Sequence, residues 1–174
     1  MLKLSYFARL SACSVSFLLF CPTWLFAAES PSLQADLLNK VEALYQDIAP
    51  KIADVPTIDV ASAKAADAIL LDVRSVQERA VSIIPGAITE TEFRRSYQAQ
   101  PKMVVVYCTI GYRSGVRARE LIAEGIDARN LRGGILAWIA QGASLQDSVG
   151  NATQQVHVYD KAWAVVPPNY TAVY

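Results

Sequence analysis

The chain has 174 residues, and its 16 lysines and arginines balance 16 aspartates and glutamates, which gives a formal net charge of zero. A chain of this length supports one compact domain with additional terminal segments. Because there is no basic excess, the composition lacks the electrostatic footprint of nucleic-acid binding, and we expect no nucleic-acid partner.

The N-terminus has the composition of an export signal. Lys3 and Arg9 precede an almost wholly apolar or small run, residues 10–28, which ends in Ala27-Ala28. A basic segment, an apolar core and small residues in this order are typical of a secretory signal peptide. We therefore predict that residues 1–28 are removed and that the protein is exported, with the periplasm as its expected location. The alternative is an uncleaved anchor, since residues 10–28 are just long enough to span a bilayer. We expect a membrane partner only in that case.

Cleavage would leave a single thiol. Cys13 and Cys21 lie inside the predicted signal peptide, so Cys108 would be the only cysteine of the mature protein. One cysteine cannot form an internal disulfide, and a lone thiol in an oxidising compartment is a liability unless it is used. We predict that Cys108 is used in chemistry. The alternative is that it serves as a small buried hydrophobic side chain.

Downstream of the signal, short apolar runs alternate with helical patterns. Helices are predicted at residues 32–52, 62–66 (with Ser62 as a possible cap), 76–80, 92–95, 114–124 and 134–138. Strands are predicted at residues 55–58, 69–71, 87–88, 103–107 and 126–131. This alternation predicts an α/β fold, an open parallel sheet flanked by helices on both faces. Ligands of such sheets bind at the carboxyl ends of the strands.

The pattern changes after residue 143. Residues 144–174 are rich in valine and aromatic residues and are interrupted by Pro167-Pro168. This extension is too apolar for a free linker, so we expect it to pack on the domain or on a partner. His157, the only histidine, alternates with apolar neighbours, and we predict a structural position on a strand for it. No group of residues has metal-ligand spacing and no phosphate-binding glycine loop is present, so we predict neither a metal nor a cofactor.

The most informative segment is the loop that follows the predicted strand 103–107. Cys108 opens it, and a helical pattern follows directly. Backbone N–H groups of such a loop, together with the positive end of the helix, can stabilise an anion on sulfur. Gly111 permits a tight turn, and Arg113 carries a permanent charge that can meet an anionic sulfur donor. The alternative for Arg113 is a surface arginine paired with an acid elsewhere, and the sequence does not decide whether Tyr112 lines the pocket mouth. We predict Cys108 as the catalytic residue and the six residues after it as the substrate-binding loop: Thr109, Ile110, Gly111, Tyr112, Arg113 and Ser114.

Four motifs follow one another between residues 58 and 142. They are Leu-Leu-Asp-Val-Arg at 70–74 with Glu78 after it, Ile-Pro-Gly-Ala-Ile at 84–88, Tyr-Cys-Thr-Ile-Gly-Tyr-Arg-Ser at 107–114, and Leu-Arg-Gly-Gly-Ile-Leu-Ala-Trp at 131–138. Together they resemble the rhodanese (sulfurtransferase) family. The resemblance implies a rhodanese-like domain at residues 54–143, preceded by a helical segment at 29–53 and followed by the aromatic extension at 144–174.

The resemblance also implies a chemistry. Sulfane sulfur from a small anionic donor, thiosulfate above all, would be carried as a persulfide on Cys108, bound by the loop amides of residues 109–114. A thiol, cyanide or a protein would accept it. Asp72 and Arg74 would be structural support, an ion pair or cap that fixes the end of a strand near the loop.

Two other functions fit part of the sequence. Cysteine phosphatases and arsenate reductases also hold an oxyanion between loop amides and an arginine, but the phosphatase motif has five residues between Cys and Arg. Only four residues separate Cys108 from Arg113, and an arsenate reductase would usually need a second thiol. The other alternative is a non-catalytic rhodanese-like binding module, with the aromatic extension as its working surface, although such modules typically lose the cysteine.

Overall fold

A computed structural model describes residues 31–99 and 101–174, so the predicted signal peptide lies outside the described residues. The helices of this part of the chain are α1 (Pro31–Ile48), α2 (Val60–Ala65), α3 (Val76–Val81), α4 (Glu90–Ser96), α5 (Tyr112–Ala123) and α6 (Gly134–Ala140). The strands are β1 (Thr57–Ile58), β2 (Ala68–Asp72), β3 (Ile88–Thr89), β4 (Met103–Tyr107), β5 (Ala128–Leu131), β6 (Leu145–Gln146), β7 (Ala152–Thr153), β8 (Gln155–His157) and β9 (Thr171–Val173). Among these helices, none has both the length and the apolar character needed to cross a membrane.

Five strands form one parallel sheet in the order β1-β5-β4-β2-β3. β4 lies at its centre, and its side chains alternate between two apolar clusters. Val105 and Tyr107 pack in the cluster that contains residues of α1, α2 and α6. Val104 and Val106 pack in the other cluster, with residues of α4 and α5. The predicted α/β fold with helices on both faces of a parallel sheet is therefore confirmed.

The register of the two central strands places the candidate site. β2 and β4 run in parallel, with Asp72 opposite Tyr107. The N–H of Val73 donates to the Tyr107 carbonyl at 3.1 Å, which extends the pairing to the ends of both strands. The carboxyl ends of β2 and β4 therefore meet at one edge of the sheet, and Cys108 is the first residue beyond that edge.

Three helix starts differ by two residues from the sequence prediction, including that of α4, which begins at Glu90 instead of residue 92. α5 begins at Tyr112 instead of residue 114, because Gly111 takes the N-cap position with φ +124°, which a side chain would disfavour. Tyr112 and Arg113 therefore belong to the first helical turn. α2 begins earlier because Asp59 caps it: its side chain accepts from the Ser62 N–H at 2.8 Å, so Ser62 is not the cap.

The aromatic extension packs on the domain, as expected from its composition. Val156 and Val158 are fully buried in the same apolar cluster as Tyr107. β6 pairs with β7 antiparallel, and β8 pairs with β9 in parallel. His157 lies half-buried on β8, where its Nδ1 accepts from the Tyr159 N–H at 3.1 Å.

Candidate active site

Cys108 lies directly after the central strand and is only 2 % exposed. Its sulfur nevertheless has polar neighbours. The N–H of Gly111 donates to Sγ at 3.2 Å, and the Ser114 hydroxyl oxygen lies 3.4 Å from Sγ. The loop therefore turns back around the sulfur and places hydrogen-bonding groups on it.

The start of α6 sets the direction of the loop peptides. The carbonyl of Cys108 accepts from the Ile135 N–H at 2.9 Å, and the carbonyl of Thr109 accepts from the Leu136 N–H at 3.3 Å. Because C=O and N–H point in opposite directions across a trans peptide, the N–H groups of Thr109 and Ile110 point away from α6. The close approach of the start of α6 to the loop requires glycine at 134, where φ is +55° and a Cβ would lie 2.4 Å from the Cys108 carbonyl oxygen.

The N-terminus of α5 completes the loop. The first N–H groups of a helix have no partner within it, and they carry the positive end of the helix dipole. In α5 these donors belong to Tyr112, Arg113 and Ser114. The contact of Ser114 with Sγ places this helix end beside the sulfur. Backbone amides and a helix end thus provide stabilisation for negative charge on Cys108.

Two residues that the sequence interpretation did not assign to the site hold the loop in place. Asn130, fully buried on β5, donates from Nδ2 to the Gly111 carbonyl at 3.0 Å and accepts from the Ser114 hydroxyl at 2.7 Å. Tyr45 of α1 packs on Gly111 so closely that a Cβ there would lie 2.9 Å from its ring. The sequence places Asn130 in a buried strand, and a polar residue in such a position is the only signal that could have indicated it.

Arg113 is paired with an acid. Its two terminal nitrogens donate to the two oxygens of Glu78, at 2.8 and 2.6 Å, and one of them also donates to the Thr109 hydroxyl at 3.1 Å. Glu78 is 2 % exposed and also closes a capping box with Ser75 at the start of α3. Glu78 belongs to the family motif that starts at residue 70, but it was not among the predicted site residues. Its carboxylate offsets much of the charge that Arg113 would otherwise offer to an anion.

The pKa values of this pair follow from their contacts. Burial alone would raise the pKa of Glu78, but hydrogen bonds from Arg113 and Ser75 more than offset it and lower the pKa from 4.5 to about 2. The pKa of Arg113 is raised, chiefly by the hydrogen bond with Glu78 and further by the charge of Cys108. The pair therefore stays ionised across the physiological range, next to the Cys108 sulfur.

Glu78→Gln should remove a pH-dependent part of the stability. Glutamine can still close the capping box but carries no charge. Because the folded pKa of Glu78 lies below its unfolded value, the carboxylate stabilises the protein fully above about pH 4.5, and this contribution is lost as the pH falls toward 2. A pKa shift of this size contributes up to about 3 kcal/mol to the free energy of unfolding. Urea unfolding at pH 7 and pH 3 should therefore show a smaller pH slope for the variant.

Glu124 is the matched control for this prediction. The pKa of Glu124 is also lowered to about 2, by Arg94, but its side chain is 40 % exposed. High salt should remove any effect of Glu124→Gln on the pH dependence of stability, because exposed pairs are screened. It should leave the effect of Glu78→Gln on that pH dependence largely intact. Identical pH slopes for Glu78→Gln and the unmodified protein would contradict the assignment.

Asp72 and Arg74 form a buried ion pair at the end of β2. The guanidinium of Arg74 donates to both Asp72 oxygens, the shorter contact being 2.7 Å, and to the Ser82 carbonyl at 2.7 Å. The Tyr107 hydroxyl donates to Asp72 at 2.6 Å. Burial, with the nearby Asp72 charge, raises the pKa of Tyr107 well above 10, so this hydroxyl keeps its proton. The network ties β2 to the residue before Cys108, and the supporting role of Asp72 and Arg74 stays a prediction.

The remaining residues of the predicted loop divide between core and surface. Ile110 is buried in the apolar cluster of α1 and α6. Tyr112 is exposed, with the Lys51 ammonium 5.6 Å from its ring centroid. The loop therefore uses one side chain as an anchor in the core and presents another at the surface beside the site.

Comparison with known proteins identifies the class. The model of the rhodanese-like domain matches residues 58–141 of the chain. A sulfurtransferase of Allochromatium vinosum is 36 % identical over 81 residues, which cover 44 % of this chain and 76 % of that protein. The chain therefore belongs to the rhodanese-like family.

The chain covers very different shares of other similar proteins. A tRNA sulfurtransferase of Desulfurococcus amylolyticus is 40 % identical over 74 residues, which cover 42 % of this chain but only 15 % of that protein. Among solved structures, the thiosulfate sulfurtransferase of Pseudomonas aeruginosa has a TM-score of 0.49 and 24 % identity, covering 63 % of this chain and 23 % of that one. A rhodanese-related protein of Thermoplasma volcanium has a TM-score of 0.45 and 26 % identity, and the match covers 52 % of this chain and 96 % of that one.

Proposed function

We propose that this protein is a sulfurtransferase that carries sulfane sulfur as a persulfide on Cys108. The observation that supports it most directly is the environment of the sulfur: Sγ lies at the end of the central strand and accepts the Gly111 N–H at 3.2 Å. It also lies next to the N-terminus of a twelve-residue helix. The thiolate and the persulfide are both anions on sulfur, and amide donors with a helix end stabilise both.

The donor that we propose is thiosulfate. The Cys108 thiolate attacks the outer sulfur of thiosulfate, the S–S bond of the donor breaks, and sulfite leaves with the bonding electron pair. Cys108 then carries the transferred atom as Cys–S–S⁻. Sulfite leaves as a stable anion, so the proposed step needs no general acid.

The second half of the reaction returns Cys108 to its starting state. A thiophilic acceptor attacks the outer sulfur of the persulfide, and the Cys108 thiolate leaves. Cyanide gives thiocyanate, and a thiolate, free or on a protein, gives a new persulfide. No electrons are gained or lost overall, so the cycle needs no redox cofactor.

We also propose that residues 1–28 direct export and are cleaved, so that the reaction takes place in the periplasm with Cys108 as the only thiol. If residues 10–28 instead remain as an anchor, the purified protein keeps the N-terminal segment. N-terminal sequencing that starts at residue 29 would support cleavage, and a protein that retains residue 1 would contradict it.

Thiosulfate labelled with a sulfur isotope in its outer position tests the sulfurtransferase proposal. Intact-mass measurement after incubation should show one added labelled sulfur atom, and sulfite should appear in equal amount. Cyanide should then remove the label as thiocyanate. A protein that stays unmodified by thiosulfate and by other sulfane donors would contradict the proposal and favour the non-catalytic binding module.

A further inference from the structure

The aromatic extension reaches the candidate active site. Val156 and Val158 are fully buried in the apolar cluster that also contains Tyr107 and Ile110, the residues on either side of Cys108 and Thr109. The next residue after Val158 leaves the core beside the loop. The extension is thus anchored in the domain core immediately before Tyr159.

Tyr159 lies on the guanidinium of Arg113. The Arg113 Cζ is 5.0 Å from the centroid of the Tyr159 ring, which is a cation–π contact. The ring of Trp163 stacks on Tyr159 with centroids 5.5 Å apart. Tyr159 is nevertheless 58 % exposed, so burial alone does not explain why an aromatic ring stands at this position.

The backbone of Tyr159 is held in an unfavourable conformation. With φ +68°, it is the one non-glycine residue with positive φ among residues 31–99 and 101–174. Its N–H donates to the Nδ1 of His157, and Asp160 caps the short turn at Lys161–Trp163 that follows. Such strain persists where the surrounding structure imposes it, and it is concentrated at functional sites.

Arg113 is therefore restrained from two directions. Glu78 and Thr109 hold the terminal nitrogens, and Tyr159 holds the guanidinium through its ring. Without Tyr159, only the hydrogen bonds to Glu78 and Thr109 would restrain the guanidinium. We propose that Tyr159 is a positioning residue for Arg113, and that the extension thereby belongs to the site and sets its affinity for the anionic donor. This inference rests on the proposed sulfur transfer only for the identity of that anion.

The test compares two alkylating reagents that differ in charge. Iodoacetate is an anion and iodoacetamide is neutral, so the ratio of their rates with Cys108 reports how well the site attracts an anion. This ratio can be measured even if the protein transfers no sulfur, which separates failure of this inference from failure of the proposed function. Where transfer is observed, KM and kcat for thiosulfate provide a second readout.

Tyr159→Leu and Tyr159→Gly should lower the iodoacetate-to-iodoacetamide ratio by about two- to fivefold, the range expected for one exposed cation–π contact. The glycine variant also removes the strain at φ +68°, and circular dichroism should show that both variants keep the fold. Tyr159→Phe keeps the ring and should retain the ratio. The KM for thiosulfate should rise by the same factor in the leucine and glycine variants, with kcat unchanged.

Two comparisons decide whether Tyr159 acts through Arg113. In an Arg113→Met background, Tyr159→Leu should have no further effect on the ratio. Tyr174, an exposed tyrosine of the same extension with Lys161 5.7 Å from its ring, is the matched control, and Tyr174→Leu should leave the ratio unchanged. Equal ratios in the unmodified protein, Tyr159→Leu and Tyr159→Gly would overturn the inference, as would a full effect in the Arg113→Met background.

Discussion

Replacing Cys108 with serine should abolish persulfide formation and sulfur transfer while the fold stays intact. The hydroxyl can still accept the Gly111 N–H, but it is neither ionised at neutral pH nor a carrier of sulfane sulfur. We expect a loss of more than about 10³-fold, as for removal of other catalytic nucleophiles. The small change in side-chain volume should keep the melting temperature within about 3 °C. Thiosulfate turnover and intact mass measure the first effect, and thermal unfolding measures the second.

The other two cysteines provide the control for this experiment. A Cys13→Ser/Cys21→Ser variant, produced in the same way, should retain the persulfide and the turnover, since both residues belong to the predicted signal peptide. Sulfur transfer that survives in Cys108→Ser, or that disappears in the double variant, would show that Cys108 is not the carrier.

Replacing Asp72 with asparagine should have the largest effect on stability. The side chains of Asp72 and Arg74 are 1 % and 0 % exposed, so the substitution leaves the Arg74 charge buried without its partner. Breaking a buried pair on one side costs about 3–5 kcal/mol. For a chain of this size the melting temperature should fall by roughly 10 °C. Urea and thermal unfolding at neutral pH measure the change.

An exposed ion pair between the residues that precede β2 and β4 serves as the comparison. Asp67 bonds Lys102 at 2.6 Å, but the Asp67 side chain is 84 % exposed. Asp67→Asn should cost no more than about 1 kcal/mol, because solvent screens such pairs. If Asp72→Asn lowers the free energy of unfolding as little as Asp67→Asn does, the ion pair at the end of β2 does not support the Cys108 loop.

Patterns of apolar residues were sufficient to predict the sheet. The run at 103–107 is apolar at every position, because a central parallel strand is buried on both faces, and the structure places it as β4 between β2 and β5. Helix starts were predicted less well. The two-residue error at α5 arose because Gly111 caps the helix through its positive φ, which only the folded loop reveals.

The position of the thiol at the end of a central strand could be predicted from the sequence, but its surroundings could not. Cys108 at the end of a strand indicated the site, because a parallel sheet presents its strand ends at one edge. The pairing of Arg113 with Glu78 spans 35 positions of sequence, and the contact of Tyr159 with Arg113 spans 46. No local sequence pattern encodes contacts between residues so far apart in the chain.

The sequence by itself determined the fold class, the family motifs and the single thiol of the predicted mature chain, because these depend on local periodicity and on residues that are close in the chain. The tertiary structure decided what surrounds that thiol: Asn130 behind the loop, Glu78 opposite Arg113 and Tyr159 above it. These partners come from separate elements, and packing brings them together only when the sheet and the extension close around one core.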